Sequence, residues 1–104
     1  MTILDADNFK EEIQKSDIPV MVDFYADWCA PCKILSPIVE ELSIEYEGKA
    51  KICKLDVQNN QSMAKEYKIT GIPALIFFKG GVVADKIVGL VSKERIKEKL
   101  DGLL

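Results

Sequence analysis

The chain has 104 residues, 48% apolar and 30% charged, with a formal net charge of -3, no histidine and three cysteines. That size and balance fit one folded domain, residues 1–104, and exclude disordered and collagen-like classes; the odd cysteine count argues against a disulfide framework. The charges are scattered with no basic stripe to neutralise phosphates, so nucleic-acid binding is not supported, and the longest apolar runs are too short to cross a bilayer.

In chain order, the start MTILDADNFK lacks a basic segment followed by an apolar one, so no export signal is read and residence in the cytoplasm is expected. Asn8 followed by Glu11 reads as a helix N-cap with an acid at the third helical position. Phe9 and Ile13 supply the apolar stripe of a helix running to about Ser16. Val20 to Ala26 is rich in strand formers and almost continuously apolar, as in a strand covered on both faces; Asp23 is its one charged residue. From Cys29 to Tyr46, Ile34, Leu35, Ile38, Val39, Leu42 and Tyr46 recur at three- and four-residue spacings, predicting a long amphipathic helix with Pro37 inside it and Gly48 at its stop.

Lys51 to Val57 predicts a second central strand, parallel to the first across the helical crossover, and Asn60 a cap for a shorter helix ending near Tyr67. Ala74 to Lys79 and Val82 to Val88 flank Gly80-Gly81 and predict an antiparallel hairpin. Ser92 caps a last helix with Ile96, Leu100 and Leu103 on its buried side.

The chemistry concentrates at Cys29-Ala30-Pro31-Cys32. A zinc site needs four ligands, and three cysteines without histidine would require a dimer sharing them. A purely structural disulfide closing so short a loop removes little entropy from the unfolded chain. Redox cycling is the reading that isolated CxxC pairs beside a strand-helix-strand unit favour. The helix start supplies unsatisfied N–H groups and the positive end of the dipole beside Cys29, favouring its thiolate and making it the nucleophile. Cys32, one helical turn later, is within reach of that sulfur and is the resolving thiol. Pro31 fits the first turn, where its missing N–H has no intrahelical partner. Trp28 reads equally as a core residue or as a shield for the sulfurs that contacts a partner.

The segments VDFYADWCAPCK at 22–33, GIPAL at 71–75 and VG at 88–89 resemble the thioredoxin family, and the likeness extends over nearly all of the chain. The resemblance implies an α/β thioredoxin fold: a central mixed five-stranded sheet flanked by four helices. It implies a protein-disulfide reductase acting on many disulfide-containing proteins and regenerated by a thioredoxin reductase, monomeric, with no bound cofactor or metal. It further implies a cis peptide bond before Pro73 facing the cysteines, where the residues alone allow a trans proline at a strand start. The backbone of Ile72 would pair with an extended substrate segment, and Gly89 would keep the adjoining surface open.

Strand alternation gives Asp23 a face in common with Met21 and Tyr25, and Lys54 one in common with Ile52 and Asp56. The resemblance puts both beneath the cysteines. Burial should raise the Asp23 pKa while the Lys54 ammonium pulls it down. Asp23 is then the candidate acceptor of the Cys32 proton, with a merely structural buried acid as the alternative. Cys53 points to the opposite face and reads as a small buried hydrophobe, against a regulatory thiol. The family usually has glycine where Ala30 stands, and often threonine where Ala74 stands. The rival functions are a disulfide oxidase or isomerase, and a binding module whose thiols idle.

Overall fold

A computed structural model describes all residues from Met1 to Leu104. In chain order the elements are β1 (Thr2–Leu4), α1 (Phe9–Gln14), β2 (Val20–Tyr25), α2 (Ala30–Glu45), β3 (Lys51–Asp56), α3 (Gln61–Glu66), β4 (Ala74–Lys79), β5 (Val82–Val88) and α4 (Lys93–Asp101). The strands form one mixed sheet in the order β1-β3-β2-β4-β5. β2 and β3 run parallel, with Asp23 directly beside Lys54, while β4 is antiparallel to both β2 and β5. This is the expected thioredoxin fold, five strands and four helices.

Alternation along the central strands sends side chains to two cores. Val20, Val22, Phe24 and Cys53 join Phe9 and Ile13 of α1 on one face. Met21 and Ile52 join Leu35, Val39 and Leu42 of α2 and Ile96 and Leu100 of α4 on the other. The two faces are thus covered by different helix pairs, and the active-site helix α2 lies on the Asp23 side.

Turn chemistry follows the residues. Gly80 (φ 62°) and Gly81 (φ 83°) form the two-residue link between Lys79 and its partner Val82, a conformation that side chains with a Cβ rarely adopt. Ser92 Oγ accepts the N–H of Arg95 at 3.2 Å as the α4 cap.

Three expectations are corrected. Asn8 sits at the start of α1 but its side chain does not cap it: Asn8 Oδ1 accepts the N–H of Asp5 instead, closing a turn with Asp5 Oδ1. Asn60 likewise makes no cap, donating its amide to the Asp56 carbonyl. Both asparagines satisfy the loop that precedes the helix rather than the helix itself. Leu103 packs against the second core from beyond the end of α4, which closes at Asp101. The element-by-element reading also passed over β1, whose three residues give too little alternation to register; only pairing with β3 makes Thr2–Leu4 a strand.

Candidate functional site

β2 ends at Tyr25, and the chain turns through Ala26, Asp27 and Trp28 to place Cys29 as the N-cap of α2. Cys29 and Cys32 are bonded to each other as a disulfide, with their Cα atoms 5.2 Å apart, and both residues are buried. The backbone N–H of Cys32 donates to Cys29 Sγ at 3.3 Å, so the sulfur occupies the place that a serine or aspartate oxygen takes at an ordinary helix cap. A negative charge on that sulfur would face this N–H and the positive end of a 16-residue helix. Pro31 lies in the first turn and exposed.

Across from the cysteines, the Ile72–Pro73 peptide bond is cis. The Ile72 carbonyl oxygen lies 3.8 Å from Cys29 Sγ. Gly89, with φ 94°, donates its N–H to the Pro73 carbonyl at 2.8 Å, tying the end of β5 to the proline loop. Nothing lies within 4 Å of where a Gly89 Cβ would stand. Trp28 is 69% exposed, which rules out the core alternative; with Val57, Ile69 and Ile72 it lines an open groove of about 420 Å³ beside the disulfide.

Beneath Cys32 is a smaller cavity of about 120 Å³ lined by Asp23, Tyr25, Cys32, Ser36 and Lys54. Asp23 is 1% exposed and its Oδ1 has no hydrogen-bond partner. Burial pushes its carboxyl up to about 6, partly opposed by the Lys54 ammonium. Lys54 Nζ lies 4.5 Å from the centroid of the Tyr25 ring and 3.5 Å from Ser36 Oγ. Strand alternation places Tyr25 on the face of Asp23, but the seating of the Lys54 ammonium on the Tyr25 ring and the Ser36 hydroxyl is not among the expectations from sequence. The signal was available: Ser36 is four residues after Cys32 on one helix face, and Tyr25 is two after Asp23 on one strand face.

Cys53 is fully buried on the opposite face, away from this cavity. Burial pushes its thiol up to about 11. No three cysteine, aspartate or glutamate side chains come together in a way that could hold a metal ion.

A cysteine pair at the mouth of a helix, opposite a cis-proline loop on a five-stranded mixed sheet, defines a dithiol–disulfide exchange protein. The sequence pattern of the Thioredoxin family matches residues 1–102. The chain is 44% identical over 93 residues to Thioredoxin 1 of a Nostoc species, covering 89% of this chain and 87% of that one. It is 44% identical over 97 residues to the thioredoxin of a Synechocystis species (93% and 91%), and 49% identical over 94 residues to Thioredoxin 2 of Chlorobaculum tepidum (90% and 86%). The chain belongs to the thioredoxin family. It is a thiol-disulfide oxidoreductase that reduces protein disulfides, and its family implies a thioredoxin reductase and disulfide-bearing proteins as partners.

Proposed function

We propose that the whole chain, residues 1–104, works as one monomeric thioredoxin domain in the cytoplasm, free of nucleic acid and membrane, and that its residues divide the exchange reaction as follows. Cys29 thiolate attacks one sulfur of a substrate disulfide, breaking that bond and releasing the other sulfur as a thiolate. Cys32 then gives its proton to Asp23 and attacks Cys29 Sγ. The Cys29–Cys32 bond forms, the mixed disulfide breaks, and the substrate leaves with two electrons more than it brought. A thioredoxin reductase returns two electrons to the pair, with no cofactor bound to this chain.

The observation that carries this reading is the Cys32 N–H aimed at Cys29 Sγ, which favours charge on the outer member of the pair. The division of labour is supported by the cavity that Asp23 shares with Cys32, large enough for water to carry a proton between them. Lys54, by lowering the Asp23 pKa against the effect of burial, keeps that carboxyl ionised and ready to accept at neutral pH.

Substrate binding falls to the rim. An extended segment of the partner would hydrogen-bond to the Ile72 backbone, beside Pro73, with Trp28 on one side and the open surface at Gly89 on the other. Pro31 keeps the first turn of α2 formed without needing a donor.

Reduction of insulin by dithiothreitol, followed by turbidity, tests the assignment. Wild type should accelerate the reaction and Cys29→Ser should leave only the uncatalysed rate. A Cys29→Ser variant as active as wild type would mean that the protein binds partners without exchanging electrons with them.

A further inference from the structure

Lys54 stands beside Asp23 on the neighbouring strand, yet no oxygen of Asp23 comes within 4.0 Å of its ammonium. The ammonium goes elsewhere: 3.5 Å to the hydroxyl of Ser36 and 4.5 Å to the centre of the Tyr25 ring. The buried Oδ1 of Asp23 is left without a partner. An unpaired carboxylate oxygen in an apolar strand is costly, and an ammonium one strand away would ordinarily move to meet it.

We propose that Ser36 is a positioning residue which, together with the Tyr25 ring, holds the Lys54 ammonium back from Asp23 and so keeps the buried acid out of an ion pair. Ser36 is placed for this by the helix. It lies one turn after Cys32 in α2, so its side chain lines the same cavity as Cys32 and as Lys54 of β3. A hydroxyl oxygen accepts from an ammonium, and the ring face attracts it, so the two together hold a charge that neither would hold alone.

The other charged and titratable groups around Asp23 do not duplicate this role. Besides Tyr25 of β2, already part of the seat, Asp27 comes from the loop after β2, and Cys32 and Lys33 from α2. Leu75 of β4, on the other flank of Asp23, is apolar. Lys54 is therefore the cation whose position is open to adjustment by a single neighbouring side chain.

The inference deepens the reading of Asp23 as proton acceptor, but it is tested on the carboxyl itself, so that it can fail while that reading stands. The measurement is the pH titration of the Asp23 side-chain carboxyl by carbon NMR in the oxidised protein. In Ser36→Ala the ammonium relaxes toward Asp23 and the midpoint falls by about 1 pH unit, the size expected when an opposite charge closes to contact. Ser36→Thr keeps the hydroxyl and restores the wild-type midpoint. In a Lys54→Met background the same Ser36→Ala change leaves the midpoint where Lys54→Met put it. A Ser36→Ala midpoint that stays or rises, a threonine variant that fails to restore it, or an equal shift without Lys54 each overturns the proposal.

Discussion

The backbone N–H of Cys32 points at the sulfur of Cys29 from 3.3 Å, while no comparable donor reaches the sulfur of Cys32. The two residues are equally covered, 4% exposed each, so exposure does not distinguish them; the helix cap is the feature that does, and the proposed roles rest on it. In the reduced protein at pH 7, iodoacetamide should label Cys29 roughly 10-fold faster than Cys32, the gain a capped thiolate has over an ordinary thiol. Because the donor is backbone, Cys32→Ser keeps it: that variant should attack substrates and then stall, accumulating mixed disulfides visible on non-reducing gels. Cys29→Ser should accumulate none. Equal labelling of both thiols would mean that the cap does not select the nucleophile.

The proposed role of Asp23 would tie the reaction to stability. Burial pushes its carboxyl up to about 6 in the folded chain, against an ordinary 3.8, and Lys54 partly offsets the rise. Between those values the folded state holds a proton that the unfolded state has lost, so stability falls as pH rises through this window and the loss is complete above about pH 6. The span corresponds to about 3 kcal/mol. Asp23→Asn has no charge to bury, so at pH 7 it should be more stable than wild type by up to that amount, and the advantage should vanish near pH 4. Denaturant melts at both pH values measure it; a variant less stable than wild type at pH 7 contradicts the account. In the same variant, resolution of a mixed disulfide should slow at neutral pH, approaching the roughly 10²-fold that a positioned base supplies.

Much of this was legible because the residues that fix the site also announce their elements. Cys29 and Cys32 are followed by a clear three- and four-residue apolar stripe, so the helix start, and with it the electrostatics of the pair, could be read directly. Asp23 stood out as a lone charge in an apolar strand, and its burial followed. What escaped depends on contacts between distant segments. β1 exists through β3; the seat of Lys54 joins β2, β3 and α2; the asparagines at 8 and 60 choose between two local partners by loop geometry. The place of Pro73 opposite Cys29 came from likeness to a family, since local pattern leaves a proline before a strand free to be cis or trans.

Substitution of Trp28 should separate docking from chemistry. It is 69% exposed and belongs to neither core, so Trp28→Ala should change stability by no more than about 0.5 kcal/mol. It forms one wall of the groove beside the disulfide, where an aromatic side chain is the kind of residue whose truncation costs an interface most. For insulin, kcat/KM should therefore drop about 10-fold, equivalent to about 1.4 kcal/mol of lost contact. With a small aromatic disulfide reagent, which needs the sulfurs but not the groove, the rate should hold within about 2-fold. A matching loss on both substrates would show instead that the indole acts on the sulfurs, as their shield.

Cys53 is the third thiol and should take no part. It is wholly buried among Val22, Leu55 and the aromatic side chains of α1 and β2, on the sheet face that α2 does not cover. Burial holds its ionisation up to about 11, with Lys51 pulling slightly the other way, so at neutral pH it offers neither access nor thiolate. Titration of the fully reduced native protein with a coloured aromatic disulfide should consume two thiols promptly, and the third only on adding denaturant. Cys53→Ala should keep full activity on insulin while losing about 1 kcal/mol of stability, since the methyl leaves part of the sulfur's space empty. A third thiol reacting as fast as the first two would require β3 to open in the native state, and Cys53 would then be a regulatory thiol after all.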